Sequence, residues 1–464
     1  MTLVAGVDSS TQSCKVVICD SDSGAVVRHA SSPHPGGTEI DPERWWDALQ
    51  NTISAAGGLA DVSAMAVGGQ QHGMICLDAA GQVVREALLW NDTRSAQAAS
   101  QLVVDLGGPG AWAQRIGVVP VAAITAAKLR WLADHEPQHA DATAAVCLPH
   151  DWLTWRLMGS AAIADLCTDR SDASGTGYFS AETGDYQRDL LALAFRGREP
   201  AVPTVLGPNA SPGTTPQGIV LGPGAGDNAA AALGLRAGSG DCVVSLGTSG
   251  VVSAVGQAAP HDAEGIVAGF ADATGRQLPL VCTLNGAPVL ATFADMLGVD
   301  FDEFDQLALS APAGSGGLVV VPYFDGERSP NLPQATGALH GVTTRNLNAA
   351  NIARAAVEGL LSSMVYCMDK IRAQGVDTER VILVGGAARS EAVRRIAPAI
   401  FGTAVHVPQP AEYVALGAAR QAAWVLSGRA TPPEWSAGEP GCYQADATPQ
   451  VLDRYREAQD LTLR

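Results

Sequence analysis

The chain has 464 residues, 47% of them hydrophobic and 16% charged, with 51 glycines and 27 prolines. That length suggests two or three domains, and the composition fits a large α/β enzyme while excluding disorder as a main theme. With 29 basic against 47 acidic residues, the formal charge of −18 argues against sequence-independent binding of nucleic acid or anionic membrane through a broad basic face. Any phosphate ligand must then be held by local dipoles and a metal.

Residues 3–7, 15–19 and 25–29 read as three short strands separated by Asp8-Ser-Ser-Thr-Gln-Ser13 and Asp20-Ser-Asp-Ser-Gly24, a β-meander. No basic n-region or long apolar h-region opens the chain, and no uncharged run reaches membrane-spanning length. The nine cysteines are scattered without a Cys-x-x-Cys pair, so we expect buried core thiols in a reducing cytoplasm. Residues 42–49 have the pattern of an amphipathic helix and 61–67 that of a strand, and Gly68-Gly-Gln-Gln-His-Gly73 leaves that strand at its carboxyl end. Ligands of open α/β sheets collect at such ends. Gln70, Gln71 and His72 carry groups able to bond sugar hydroxyls, although a polar surface loop is the simpler reading. In Leu88-Leu-Trp-Asn-Asp-Thr-Arg94, Trp90 offers an apolar face for sugar C–H groups, and Asn91, Asp92 and Arg94 either bind a polar ligand or form a structural salt bridge.

Residues 126–132 are helix-like. His135 and His139 share a helical spacing, but Pro137 interrupts it and no acid-rich pattern completes a metal site. A further helix runs over 148–157 with its start signal at Pro149, and 169–177 reads as a polar, glycine-containing loop in which Asp172 faces substrate or pins the loop. Glycine and proline enrich 197–218, and glycine returns in 235–241, which places a boundary near 236 and divides the chain into domains 1–235 and 236–464.

Gly224-Ala-Gly-Asp-Asn228 precedes the small-residue run Ala229-Ala-Ala-Ala-Leu-Gly234, suited to a helix packed tightly on a neighbour. Asp227 is thereby a carboxylate at a helix N-terminus, either a cap or a base. Residues 242–246 read as a buried strand, Gly247-Thr-Ser-Gly250 as a tight turn and 251–255 as the returning strand, so that backbone N–H groups and two hydroxyls meet where phosphate can bind; a plain hairpin reads equally well. Strand-like runs follow at 267–270 and 278–283. The order strand, turn, strand therefore repeats the N-terminal meander, with Thr11 matching Thr248 and Asp8 matching Ser245. Residues 381–384, Gly385-Gly386 and a helix over 389–400 close the series as strand, glycine turn and helix.

Taken in order, Asp8-Ser-Ser-Thr-Gln-Ser13, Gln70-Gln-His-Gly73, Trp90-Asn-Asp-Thr-Arg94, Gly226-Asp-Asn228, Ser245-Leu-Gly-Thr-Ser-Gly250, Pro322-Tyr-Phe-Asp-Gly-Glu-Arg-Ser-Pro330 and Gly385-Gly-Ala-Ala-Arg-Ser390 resemble the FGGY family of carbohydrate kinases over nearly the whole chain. The sequence departs from the family pattern at Ala123, at Ala387, where a third glycine is common, and at Gln71, where the D-xylulose-specific branch often carries methionine.

The resemblance implies two actin-like, ribonuclease-H-type α/β domains about a central cleft, closing on sugar, with sugar held mainly by the first and nucleotide by the second. It implies ATP and Mg²⁺, with Asp227 as general base and Asp8 orienting Mg²⁺ through water. Gln71, His72, Asn91, Asp92, Arg94, Asp227 and Asn228 are then the sugar contacts. Ser10, Thr11, Gln12, Gly247, Thr248, Ser249, Gly385, Gly386 and Ala387 are the nucleotide contacts. A helix N-terminus would make Asp227 more acidic than an ordinary carboxyl. The loops at 70–73 and 90–94 favour D-xylulose phosphorylated at its terminal hydroxyl, ahead of another ketopentose or a pentitol. The partners expected are sugar and ATP, with a homodimer allowed and neither nucleic acid nor membrane. A non-catalytic nucleotide switch or sugar sensor of the same fold would need the phosphate turns but not Asp227.

Overall fold

The computed structural model describes residues 1–435 and 438–462. The backbone gathers into two compact units, one comprising Met1–Ala237, Ala259–Leu278 and Ala411–Ala437, the other Gly238–Ala258, Pro279–Pro410 and Gly438–Arg464.

In the first unit, strands Leu3–Ser9, Ser13–Asp20 and Val26–Pro33 form the antiparallel meander, the third running past the expected 25–29. Val62–Gly69 lies parallel beside Leu3–Ser9, and Ala225–Gly226 pairs parallel with its far end. Leu3–Ser9 is buried on both faces, as its nearly unbroken apolar run requires. Leu3, Ala5 and Val7 pack with Trp45, Leu49 and Leu153, whereas Val4 joins Ala64, Ala415 and Ala419 on the other face. The helix Pro42–Ala55 starts where Asp41 accepts the Glu43 N–H with Pro42 in the first turn. It buries Trp45, Ala48, Leu49 and Thr52, one stripe at helical spacing.

The opposite face is covered by Tyr413–Ser427, an Ala- and Gly-rich helix far along the chain. A Cβ at Gly6 would strike the backbone of Ala415 and Ala419, and one at Gly417 would strike the Ala230 carbonyl. Small residues thus let Tyr413–Ser427 lie against both the central strand and the helix Asp227–Gly234.

The expected polar loop at 169–177 is in fact a strand end, Cys167–Asp169, and a short helix, Arg170–Ala173, with Asp169, Ser171 and Asp172 at most 3% exposed. Asp169 caps that helix by accepting the N–H groups of Ser171 and Asp172. Polarity here serves capping inside the protein rather than solvation.

The second unit repeats the scheme. Asp241–Leu246 and Gly250–Ala254 are antiparallel, residues 280–282 pair beyond Gly250–Ala254, and Arg380–Val384 lies parallel beside Asp241–Leu246. Val405–Val407 and Gly441–Tyr443 extend the sheet. Each sheet therefore opens with a meander and adds a parallel strand beside its first member, the repeat expected from the sequence. Ala268–Ala271, read there with the second meander, belongs to the first unit, where the Ala271 N–H donates to Ser174 Oγ at 3.1 Å.

Candidate active site

Parallel register sets Asp8 and Asp227 at one sheet edge. Asp8 stands beside Gly68 on one side of Val62–Gly69, and Ala225 stands beside the same Gly68 on the other, so Asp227, two residues further on, emerges at the same strand-end edge as Asp8. Strands two apart are about 10 Å apart, a separation that brings both carboxylates onto one small ligand. Asp8 is 4% exposed; Oδ2 lies 3.5 Å from Lys15 Nζ, and Oδ1 is buried without a hydrogen-bond partner among the described residues. Burial, against the pull of Lys15 and with Asp227 and Glu412 adding, pushes its carboxyl up to about 7.

Asp227 does not cap its helix. Gly226 occupies the cap position, and Asp227 is the first helical residue, its Oδ1 accepting the Asn228 N–H at 2.7 Å and Asn228 Nδ2 at 2.8 Å. The expected acidification is also overturned. The residue is half-buried, but protein atoms surround its carboxyl group, and burial outweighs the two Asn228 donors to raise it to about 6.

The loops read as sugar-facing divide. Gln71 is 6% exposed, donates Nε2 to the Ser171 carbonyl at 3.1 Å and packs where a Cβ on Gly226 would be. His72 adopts φ 69°, brings Nδ1 to 2.8 Å from the Gly175 carbonyl and sets its ring 5.5 Å from that of Phe270. Gln71 and Asn228 therefore border the Asp227 segment, whereas His72 is held by Gly175 and Phe270. Asp92 instead accepts from Thr38, from the Arg94 N–H and from Arg94 Nε, while Arg94 also reaches Glu39 and lies over the Trp131 ring. Although burial opposes it, Arg94 and Thr38 hold the Asp92 carboxyl below its usual range. Asp92 and Arg94 make the loop-fixing salt bridge, and Asn91 donates to the Gly37 carbonyl at 3.4 Å. Trp90 donates Nε1 to Thr11 Oγ1 at 2.7 Å, and Thr11 reaches Gln70 at 3.4 Å, which ties the first turn to both loops. Ser10 is half-buried, its N–H and hydroxyl both donating to the Ser13 carbonyl, and Gln12 is exposed.

In the second unit the Gly247 N–H donates to the Ser249 carbonyl at 3.1 Å, leaving Thr248 exposed and Ser249 half-buried at the turn. Gly385 and Gly386 are exposed directly after Arg380–Val384, whereas Ala387 is 7% exposed and faces inward. Gly385 adopts φ 95°, and a Cβ there would meet the Leu246 backbone, so a side chain is excluded on both counts.

The N-terminal domain of the FGGY family of carbohydrate kinases matches residues 3–234, and its C-terminal domain matches 242–426. The chain belongs to the FGGY family of carbohydrate kinases. A xylulose kinase of Streptomyces rubiginosus is 42% identical over 97% of this chain and 95% of its own length, and one of Streptomyces coelicolor is 43% identical over 92% and 88%. The crystal structure of xylulose kinase from Bifidobacterium adolescentis superposes with a TM-score of 0.94 at 45% identity, covering 99% of each chain. The fold is thus the two-domain α/β fold of FGGY kinases.

This FGGY kinase carries beside Asp227 a polar cluster that reading the sequence missed. His150, in the helix Pro149–Leu157, is fully buried, with Nε2 at 3.4 Å from Asp151 Oδ1, 3.3 Å from Asp169 Oδ1 and 3.2 Å from Asp172 Oδ2. Asp172, too, is wholly enclosed. Only the Asp151–Asp169–Asp172 spacing hints at it, and acids in a glycine-containing stretch read as a polar loop until burial is known. His135 and His139 bond within their own segment, to the Trp131 carbonyl and to Glu136.

Proposed function

We propose that this FGGY kinase transfers the γ-phosphoryl group of ATP to the terminal hydroxyl of D-xylulose, giving D-xylulose 5-phosphate and ADP. Asp227 takes the hydroxyl proton as the sugar oxygen bonds to phosphorus and the bridging oxygen leaves with ADP. The observation that carries this reading is a carboxyl group held at the same sheet edge as Asp8 and raised to about 6, so that it is ionised at neutral pH yet basic enough to accept a proton. Gln71, His72 and Asn228 shape the sugar pocket around it, while Asn91, Asp92 and Arg94 hold a bordering loop.

Asp8 fits Mg²⁺ or its bound water, because it presents a buried hard oxygen without a hydrogen-bond partner among the described residues. When bound, Mg²⁺ neutralises phosphate oxygen charge. Thr11, Thr248 and Ser249 supply hydroxyls to the phosphates, and the exposed Gly385-Gly386 turn leaves room for the nucleoside. All nine cysteines are free thiols, seven of them buried, Cys282 half-buried and Cys442 exposed, which suits a reducing compartment such as the cytoplasm. No helix among the described residues is long and apolar enough to cross a membrane.

The test is ADP release across D-xylulose, other ketopentoses, pentitols and glycerol. Preference for D-xylulose by kcat/KM is expected. Slow turnover independent of every sugar would replace the kinase reading with a nucleotide switch.

A further inference from the structure

The buried cluster around His150 connects to the base by a traceable chain. Gly226 donates its N–H to Ser171 Oγ at 3.0 Å, Ser171 Oγ donates to Asp169 Oδ2 at 2.6 Å, and Asp169 Oδ1 faces His150 Nε2 at 3.3 Å. Gly226 is the residue immediately before Asp227. On its other side the imidazole fills the space beside Gly224, where a Cβ would strike Nδ1, and Gln421 clamps Gly224 by accepting its N–H at 3.0 Å and donating to its carbonyl at 2.8 Å. The segment Gly224–Gly226 is therefore gripped between a side-chain amide and a charged cluster.

The charge matters because three carboxyl groups meet in a site closed to water. Burial pushes the Asp172 carboxyl well above its ordinary range and Asp151 up to about 6, and the neighbouring imidazolium opposes that rise in both. A cation shared among the three keeps negative charge on the cluster, and so its grip on the short helix that carries Ser171, without choosing one partner. The Cβ and backbone of His150 also lie against Gly69, at the strand end beside which Gly226 pairs.

We propose that His150 is a positioning residue for phosphoryl transfer: as a buried imidazolium shared by Asp151, Asp169 and Asp172, it fixes through Ser171 the Gly226 backbone and with it the direction of the Asp227 carboxylate. The proposal rests on Asp227 being the base. It assigns to His150 a role in kcat and not in sugar or nucleotide affinity, since its imidazole faces Asp151, Asp169, Asp172 and Gly224 and not the side chains read as sugar or nucleotide contacts. What the site requires at position 150 is a positive charge on a side chain that reaches the carboxylates, which lysine can supply and glutamine cannot.

The experiment measures kcat, the KM values for D-xylulose and ATP, and thermal melting for the full-length wild type, His150→Gln, His150→Lys, Ser171→Ala and Asp227→Asn. We expect His150→Gln to lower kcat by about 10- to 100-fold, because misplacing a reacting group by about 1 Å costs up to that much, with each KM within about threefold of wild type. His150→Lys should recover most of that loss. Ser171→Ala breaks the link while leaving the charge cluster intact, and should lower kcat roughly 10-fold with little change in melting. If His150→Gln does not fold, Ser171→Ala decides.

Wild-type kcat in both His150→Gln and Ser171→Ala, with turnover lost in Asp227→Asn, would overturn the positioning role and leave the base assignment standing. Full turnover in Asp227→Asn would remove the base and the proposal together. Stoichiometric zinc retained by the wild type and lost from His150→Gln would also overturn it, because an imidazolium cannot ligate a metal.

Discussion

At the scale of single residues, two acids at one sheet edge are set apart by their surroundings. Asp227 rises to about 6 by burial against two donors from Asn228, and Asp8 has Lys15 alongside and one oxygen without a hydrogen-bond partner among the described residues. Replacing Asp227 by Asn preserves volume and the helix start but removes the proton acceptor. We expect kcat to fall about 10²- to 10⁴-fold while melting and sugar affinity hold; sugar-dependent ADP formation at the wild-type rate would refute the assignment. A base must be ionised, so wild-type kcat should fall as pH drops through about 6 and level off above it. Rate profiles that keep rising with acid would contradict this sign. For Asp8→Ala, the Mg²⁺ concentration for half-maximal rate should rise while sugar binding, followed by calorimetry, stays within a few-fold. Unchanged Mg²⁺ dependence would count against Asp8.

At the scale of elements, the base rides on Asp227–Gly234, a helix too short to hold itself in water and fixed by packing on Tyr413–Ser427. The contact depends on Gly417, where a Cβ would meet the backbone of Ala230. Gly417→Ala must push the two helices apart, at a cost of about 1–3 kcal/mol. Both the melting temperature and kcat should drop, because the displaced helix carries Asp227. Gly36→Ala, where a Cβ meets nothing within 4 Å, should leave both unchanged and serves as the control. Equal behaviour of the two variants would show that the helix contact is not what places the base.

At the scale of the whole molecule, the first unit is discontinuous. Tyr413–Ser427 returns to cover Val4, Val17, Ala64 and Ala66, a face of the central sheet that no earlier segment of that cluster closes. A fragment of residues 1–237 should therefore bind a hydrophobic dye and unfold without a sharp transition, and linking residues 411–435 to it should restore cooperativity. Sharp two-state melting of residues 1–237 alone would show that the returning helix is dispensable.

What could be read without the structure is what neighbouring residues encode. Short apolar runs broken by Asp8–Ser13 and Gly247–Gly250 specify meanders and turns, and Gly226-Asp-Asn228 before an alanine run marks a helix start, because strand pairing, tight turns and helix initiation are local. Tertiary structure decided the rest. Burial comes from segments far apart in the chain, so it alone turned Asp227 from an expected stronger acid into a weaker one and changed 169–177 from an expected polar loop into a closed cluster with His150. That Arg94 reaches Glu39 and the Trp131 ring as well as Asp92, and which sheet face Tyr413–Ser427 covers, likewise depend on which distant groups meet, and packing decides them.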